Sequence, residues 1–209
     1  MTDSKCKICR RAGEKLFLKG EKCFTAKCVF NKKPYAPGIV DSQRKHRSPV
    51  TEFGRQLREK QKVRNMYGLR ENQFSNYVRK ASTRAGMNPS SALYEELESR
   101  LDNVVFRLGF AASRSLARQM VSHGHIIVNG RKVTIPSYRV RTGEIVGIRE
   151  GSRASALFQN LKEKLDKLKY PSWIVLRPET LEGEIKGSPK AERSEMAFDL
   201  ASVIEFYSR

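Results

Sequence analysis

The sequence lacks any apolar run near the roughly 20 residues that cross a bilayer as a helix, so it is not read as a membrane protein. No apolar segment follows Met1, nothing directs the chain to an oxidising compartment, and the expected location is the cytoplasm. Cysteine is absent after residue 28. The three histidines lie in basic stretches with no carboxylate or nucleophile partner evident, which leaves no catalytic constellation. Acidic residues are scarce: 22 Asp+Glu stand against 41 Lys+Arg, a formal net charge of +19. A merely soluble small domain needs a net charge of magnitude about 2 to 8, so this excess asks for a polyanionic partner.

Against those absences, 39% of the 209 positions are hydrophobic, enough to bury one ordinary core or two small ones. The positive charge is spread along the chain and interleaved with core-forming residues. That pattern suits wrapping by nucleic acid better than docking through one patch on an acidic membrane.

All four cysteines fall in the first 28 residues as Cys6-x2-Cys9-x13-Cys23-x4-Cys28. Two close pairs can close the tetrahedron that zinc prefers. Four thiolates around Zn²⁺ leave a local charge of about −2, and Lys5, Lys7, Arg10, Arg11, Lys22 and Lys27 surround them. An iron–sulfur cluster, disulfides and free thiols are the alternatives. A unit of about forty residues with almost no core of its own draws its folding energy from such a metal. Asp41-Ser42-Gln43-Arg44-Lys45-His46-Arg47 follows as a polar, basic connector suited to lying on phosphates.

Helical signals begin at Ser48-Pro49, a cap followed by proline at the first helical position. Phe53, Leu57, Val63, Met66 and Tyr67 form the apolar stripe, Gly68 ends it, and Arg55, Arg58, Lys60, Lys62 and Arg64 take the opposite face. A second helix is expected over 71–81, burying Phe74, Tyr77 and Val78. Asn88-Pro89 opens a longer one with Leu93, Leu97, Leu101 and Leu108 in phase, closed by Gly109. Ser113 or Ser115 caps a short helix that ends at His123-Gly124. Asn129-Gly130 turns a hairpin, since both central residues of a type I′ turn need positive φ. A further strand pair is expected over 138–141 and 144–148. These elements predict two helices packed on a small sheet, with Arg114, Arg118, His123, His125, Arg131 and Lys132 on one basic face. A charged helix over 153–169 turns Leu157, Phe158, Leu161, Leu165 and Leu168 inward. A strand over 171–176 anchored by Trp173 and a docked apolar C-terminus complete the reading.

Arg100-Leu101-Asp102-Asn103-Val104-Val105-Phe106-Arg107-Leu108-Gly109-Phe110, Ala117-Arg118-Gln119-Met120-Val121-Ser122-His123-Gly124-His125-Ile126 and Val128-Asn129-Gly130 resemble the RNA-binding module of the small-subunit ribosomal protein S-four family. That module is shared with some pseudouridine synthases, tyrosyl-tRNA synthetases and a heat-shock protein. Glu14-Lys15-Leu16-Phe17-Leu18-Lys19-Gly20, Gln56-Leu57-Arg58-Glu59-Lys60-Gln61-Lys62 and Val203-Ile204-Glu205-Phe206-Tyr207-Ser208-Arg209 are similar to the ribosomal family itself, in its zinc-bearing bacterial form. The chain departs from the family pattern at Pro37-Gly38-Ile39-Val40-Asp41 and is only loosely similar over 188–202.

The resemblance implies an α+β fold: a mostly helical domain with an inserted RNA-binding module (two helices on a small antiparallel sheet) and an N-terminal zinc-knuckle arm. It divides the chain into a zinc arm and basic linker over 1–44, a helical domain over 45–99 completed by 181–209, and the module over 100–180. It implies a non-catalytic component of the small (30S) subunit. Such a protein is a primary binder of the 5′ domain of 16S rRNA that nucleates assembly of the subunit body. It sits near where mRNA enters, beside proteins S-five and S-three, and influences translational accuracy. No membrane partner and no homo-oligomer is implied. One structural Zn²⁺ falls on Cys6, Cys9, Cys23 and Cys28. The RNA grip falls on Arg44, Lys45 and Arg47 of the linker, Arg55, Arg58 and Lys62 of the first helix, and Arg114, Arg118, Gln119, His123, His125, Asn129, Arg131 and Lys132 of the module. An RNA-modifying enzyme using the same module would need a further domain with a catalytic acid, and only about sixty residues follow Ile148. A free zinc-dependent DNA binder would hold duplex DNA as tightly as rRNA.

Overall fold

The computed structural model describes residues 4–38, 49–155, 157–159, 161, 165, 168, 170–190 and 198–208. The arm comprises α1 (Lys5–Ala12), a 3₁₀ turn (Gly20–Cys23) and the single turn α2 (Val29–Lys32). The helical unit is α3 (Glu52–Met66), α4 (Glu71–Ser82) and α5 (Pro89–Glu98). Helix α3 starts later than Ser48-Pro49 suggests: the Thr51 hydroxyl accepts from the Gly54 amide, and the first helical bond runs from Arg55 N to Thr51 O. Ser48 itself lies outside the described residues. Gly68, at φ 62°, turns the chain after α3, as its position predicts.

The long helix expected from Asn88 to Gly109 is two helices, α5 and α6 (Leu101–Arg107). Apolar phasing continues through the junction, but Arg100 leaves the helix at ψ 137° and makes an isolated bridge with Arg139. Val140 N donates to Ser99 O at 2.8 Å, and Leu101 N to Tyr138 O at 2.8 Å. That segment therefore spends its backbone groups on the junction. This is why 138–141 is not the strand expected there. After α6 come α7 (Arg114–Ser122), capped by the Ser113 hydroxyl, then β1 (Ile126–Val128), β2 (Arg131–Lys132) and β3 (Ile145–Ile148). Asn129 and Gly130 have φ 48° and 75° in a two-residue turn with Val128 opposite Arg131, which is the expected hairpin.

The remaining fully described elements are α8 (Glu150–Arg153), β4 (Ile174–Arg177), β5 (Glu182–Ile185) and α9 (Leu200–Tyr207). One antiparallel sheet runs in the order β2-β1-β3-β5-β4. Its registers include Ile127 with Gly147, Val146 with Gly183, and Ile174 with Ile185. Helix α6 lies directly on β5, where a Cβ at residue 183 would collide with the Leu108 side chain. Much of the helix expected over 153–169 lies outside the described residues. Of its inner face, Phe158, Leu161 and Leu165 are buried, whereas Leu157 and Leu168 are exposed.

Two cores result. Leu101, Val104, Leu108, Met120, Ile126, Val146, Ile148 and Trp173 belong to the module. Val63, Phe74, Val78, Leu93, Leu97 and Val203 belong to the helical unit. The C-terminal segment divides between them: Leu181 and Ile185 join the module core, whereas Phe198 and α9 pack on the helices, with α9 capped by the Asp199 carboxylate on Ala201 N and Ser202 N. No described helix is long and apolar enough to cross a membrane.

Candidate nucleic-acid interface

The seam between the two cores is built around carboxylates that draw arginines inward. Glu98, 0% exposed, accepts from Tyr67 Oη at 2.5 Å, Asn103 Nδ2 at 2.9 Å and Arg107 Nε at 2.7 Å. Burial alone would raise its carboxyl, but the bonds and charge of Arg107, with Arg114 and Tyr67, hold it below the ordinary value. Burial and the Glu98 charge push the Tyr67 phenol well above its own. Arg114 donates Nε to Asn103 Oδ1 at 2.7 Å, and its guanidinium lies 4.7 Å from the Tyr67 ring centre and 4.5 Å from that of Phe106. Arg118 pairs with Asp102 at 2.8 Å and donates Nη1 to Gly68 O at 2.6 Å. The same Asp102 pairs with buried Arg100 at 2.8 Å, which in turn bonds Tyr77 Oη at 2.7 Å.

These bonds correct the expected basic face. Arg114 and Arg118 are committed to the seam, half-buried, and hold the module against the helical unit. What stands on the exposed surface is Gln119, His123, Arg131 and Lys132, with His125 half-buried. The Lys132 chain lies over Gly124, where a Cβ would collide with its Cε. His125 Nδ1 is 3.0 Å from Ser152 Oγ, and its ring meets Phe158 edge-on at 6.1 Å. Asn129 lies at the hairpin tip with Oδ1 accepting from Ile145 N at 2.9 Å, so this side chain fixes the turn that presents Arg131 and Lys132.

The first helix divides similarly. Arg55 and Arg58 are exposed, but Lys62 is buried, paired with Glu14 at 2.7 Å and Glu59 at 3.6 Å, and thereby ties the arm to α3. Lys60, read as surface, pairs with Glu71 at 2.7 Å beneath the Phe206 ring. Burial works against the Glu71 carboxylate, yet Lys60, Tyr207 and Arg64 outweigh it and lower its pKa. Arg44, Lys45 and Arg47 lie outside the described residues. Sequence reasoning missed Arg139, which pairs with both Glu95 at 2.7 Å and Glu96 at 2.9 Å and locks the junction loop onto α5.

In the arm, Cys6, Cys9, Cys23 and Cys28 all border one pocket of about 10 Å³, together with Leu18 and Phe30. All four are unpaired with one another, with Cys9 and Cys23 buried. Among the described residues no three His, Cys, Asp or Glu side chains form a cluster able to hold a metal. Four thiols around one pocket are the donor set of a soft tetrahedral ion; without one, burial pushes the Cys9 thiol up, a bond from the Leu16 backbone amide opposes this, and the charge of the other three sulfurs raises it further.

Comparison with known proteins matches residues 1–98 to the family described as Ribosomal protein S4/S9 N-terminal domain and residues 99–146 to the S4 domain. The chain is 46% identical over 208 residues to small ribosomal subunit protein uS4 of Syntrophomonas wolfei, covering 100% of this chain and 98% of the relative. It is 47% identical over 204 residues to that of Natranaerobius thermophilus, covering 98% and 96%. It is 45% identical over 205 residues to that of Thermotoga maritima, again covering 98% and 96%.

Proposed function

The chain belongs to the uS4 family of small ribosomal subunit proteins, and on that premise we propose which of its surfaces hold rRNA. It is a structural component of the small ribosomal subunit that binds rRNA, and it is not an enzyme. The observation that carries the finer reading is the sorting of the arginines and lysines: carboxylates take Arg107, Arg114 and Arg118 inward, while Arg131 and Lys132 face solvent with Arg55 and Arg58, beside the polar Gln119 and His123. Folded RNA is recognised by shape, backbone and exposed bases, which dispersed cations on a rigid frame suit. The exposed group, with Arg44, Lys45 and Arg47, makes the direct contacts; Arg114, Arg118, Asn129 and Lys62 hold the frame. His125 contributes at the edge of the face.

In this reading the protein is a primary binder of the 5′ domain of 16S rRNA that nucleates assembly of the subunit body. It lies near where mRNA enters, with proteins S-five and S-three as neighbours, and it contributes to translational accuracy. The four cysteines hold one structural Zn²⁺, which makes the coreless arm rigid. The support for zinc is their common pocket and donor chemistry. Sedimentation tests the reading: the protein co-sediments with small ribosomal subunits in low salt, and its recovery in the supernatant alone would overturn it.

A further inference from the structure

The arm carries two stacked phenylalanines that its packing leaves exposed. Phe24 is 76% exposed and Phe17 45% exposed, and their rings stack at 4.8 Å between centres with 24° between planes. Phe17 has φ 50°, a conformation that L residues with bulky side chains adopt at a cost and that surrounding structure must impose. Its carbonyl accepts from Gly20 N at 3.2 Å. Gly20 in turn fits only as glycine, because a Cβ there would collide with the Ala112 carbonyl of the module. The left-handed turn is thus clamped between arm and module, and it holds the Phe17 ring at the surface. Both rings border a cavity of about 470 Å³ that is also lined by Asn65, Ser115, Arg114 and Arg118.

We propose that the Phe17–Phe24 pair is a stacking platform for one unpaired RNA base, lodged in the cavity between the arm and the start of α7. This rests on the reading of the chain as an rRNA binder and adds a site to it. Charge complementarity selects the occupant. Exposed Lys19, Lys22 and Lys27 flank the pair, so an anionic backbone is favoured where an apolar protein segment would bring no compensating charge. A base has a π-face for the outer ring, and Asn65 and Ser115 can bond its edge. Duplex RNA keeps its bases stacked and cannot use such a platform.

The test uses the full chain with a mixed-sequence single-stranded RNA of a dozen or so nucleotides carrying one internal 2-aminopurine, and with a duplex RNA as the second probe. Phe24→Ala is expected to weaken single-strand binding about 10- to 100-fold and to abolish 2-aminopurine quenching, with duplex affinity unchanged. Phe24→Tyr retains both signals, and Phe24→Leu, which keeps an apolar contact without a π-face, behaves like the alanine variant. Unchanged single-strand affinity in Phe24→Ala, or full retention by Phe24→Leu, overturns the platform while leaving rRNA binding intact. A wild-type chain that binds neither probe overturns rRNA binding as well.

Discussion

Arg118 Nη1 donates to the carbonyl of Gly68 at 2.6 Å across fifty positions of sequence. The same guanidinium is anchored to Asp102 of α6 at 2.8 Å, so one side chain joins the turn after α3 to the RNA-binding module. A residue expected to touch RNA thereby fixes the relative placement of the two units.

Arg118→Ala removes this tie and leaves Asp102 with Arg100 alone. The expected loss of global stability is roughly 1–2 kcal/mol, the value for hydrogen bonds to a charged group discounted for partial exposure. Denaturant unfolding monitored by circular dichroism measures it. Arg118→Lys recovers little, because an ammonium cannot span the carboxylate and the carbonyl together.

Glu98→Gln leaves the partly buried Arg107 guanidinium with no carboxylate partner among the described residues. Breaking such a pair costs about 3 kcal/mol, so this variant unfolds at clearly lower denaturant concentration than Arg118→Ala.

The pH profile follows from the same groups. Glu98 and Glu71 have folded pKa values below the ordinary 4.5, so the stability they contribute is complete above that value and is lost as pH falls below it. The phenols of Tyr67 and Tyr207 are raised from 10.0, so their contribution is complete below that value and is lost as pH rises above it. Unfolding free energy measured across pH should therefore fall off at both the acid and the alkaline ends. In Glu98→Gln the acid limb is shallower, since one depressed carboxyl is gone.

Much of this frame was legible in the sequence, and the parts that were not share a cause. Asn129-Gly130 announces its hairpin because positive φ at two consecutive positions is a local demand. Ser113, Asn88 and Gly68 announce helix ends for equally local reasons. The break at Ser99-Arg100 has no local signal: apolar phasing runs straight through it, and long-range bonds from Tyr77 and from the 136–140 segment hold the chain out of the helix. Lys62 was read as surface because its partner Glu14 lies in a different unit. The expectation of one basic face includes Arg114 and Arg118 because the carboxylates that draw them toward the seam, on α5 and α6, carry no marker of facing inward. Long-range pairing of opposite charges decides which cations reach solvent, and no periodicity encodes it.

Cys23→Ser tests the metal. Elemental mass spectrometry of the natively purified chain is expected to give about one zinc in the wild type and none in the variant. Hydrogen exchange should show protection lost across 4–38 and kept in β1, β3 and α7. Equal zinc in both proteins would contradict the assignment of these thiols.

The most direct test of rRNA recognition through dispersed exposed cations is the salt dependence of binding to a 16S rRNA 5′-domain transcript. Neutralising roughly 6 to 10 phosphates predicts an affinity loss of about 10³ or more between 50 and 200 mM salt, by analogy with DNA. Arg131→Ala with Lys132→Ala should weaken binding and reduce the slope by about two. A nearly flat salt response, or equal affinity for duplex DNA, would contradict it.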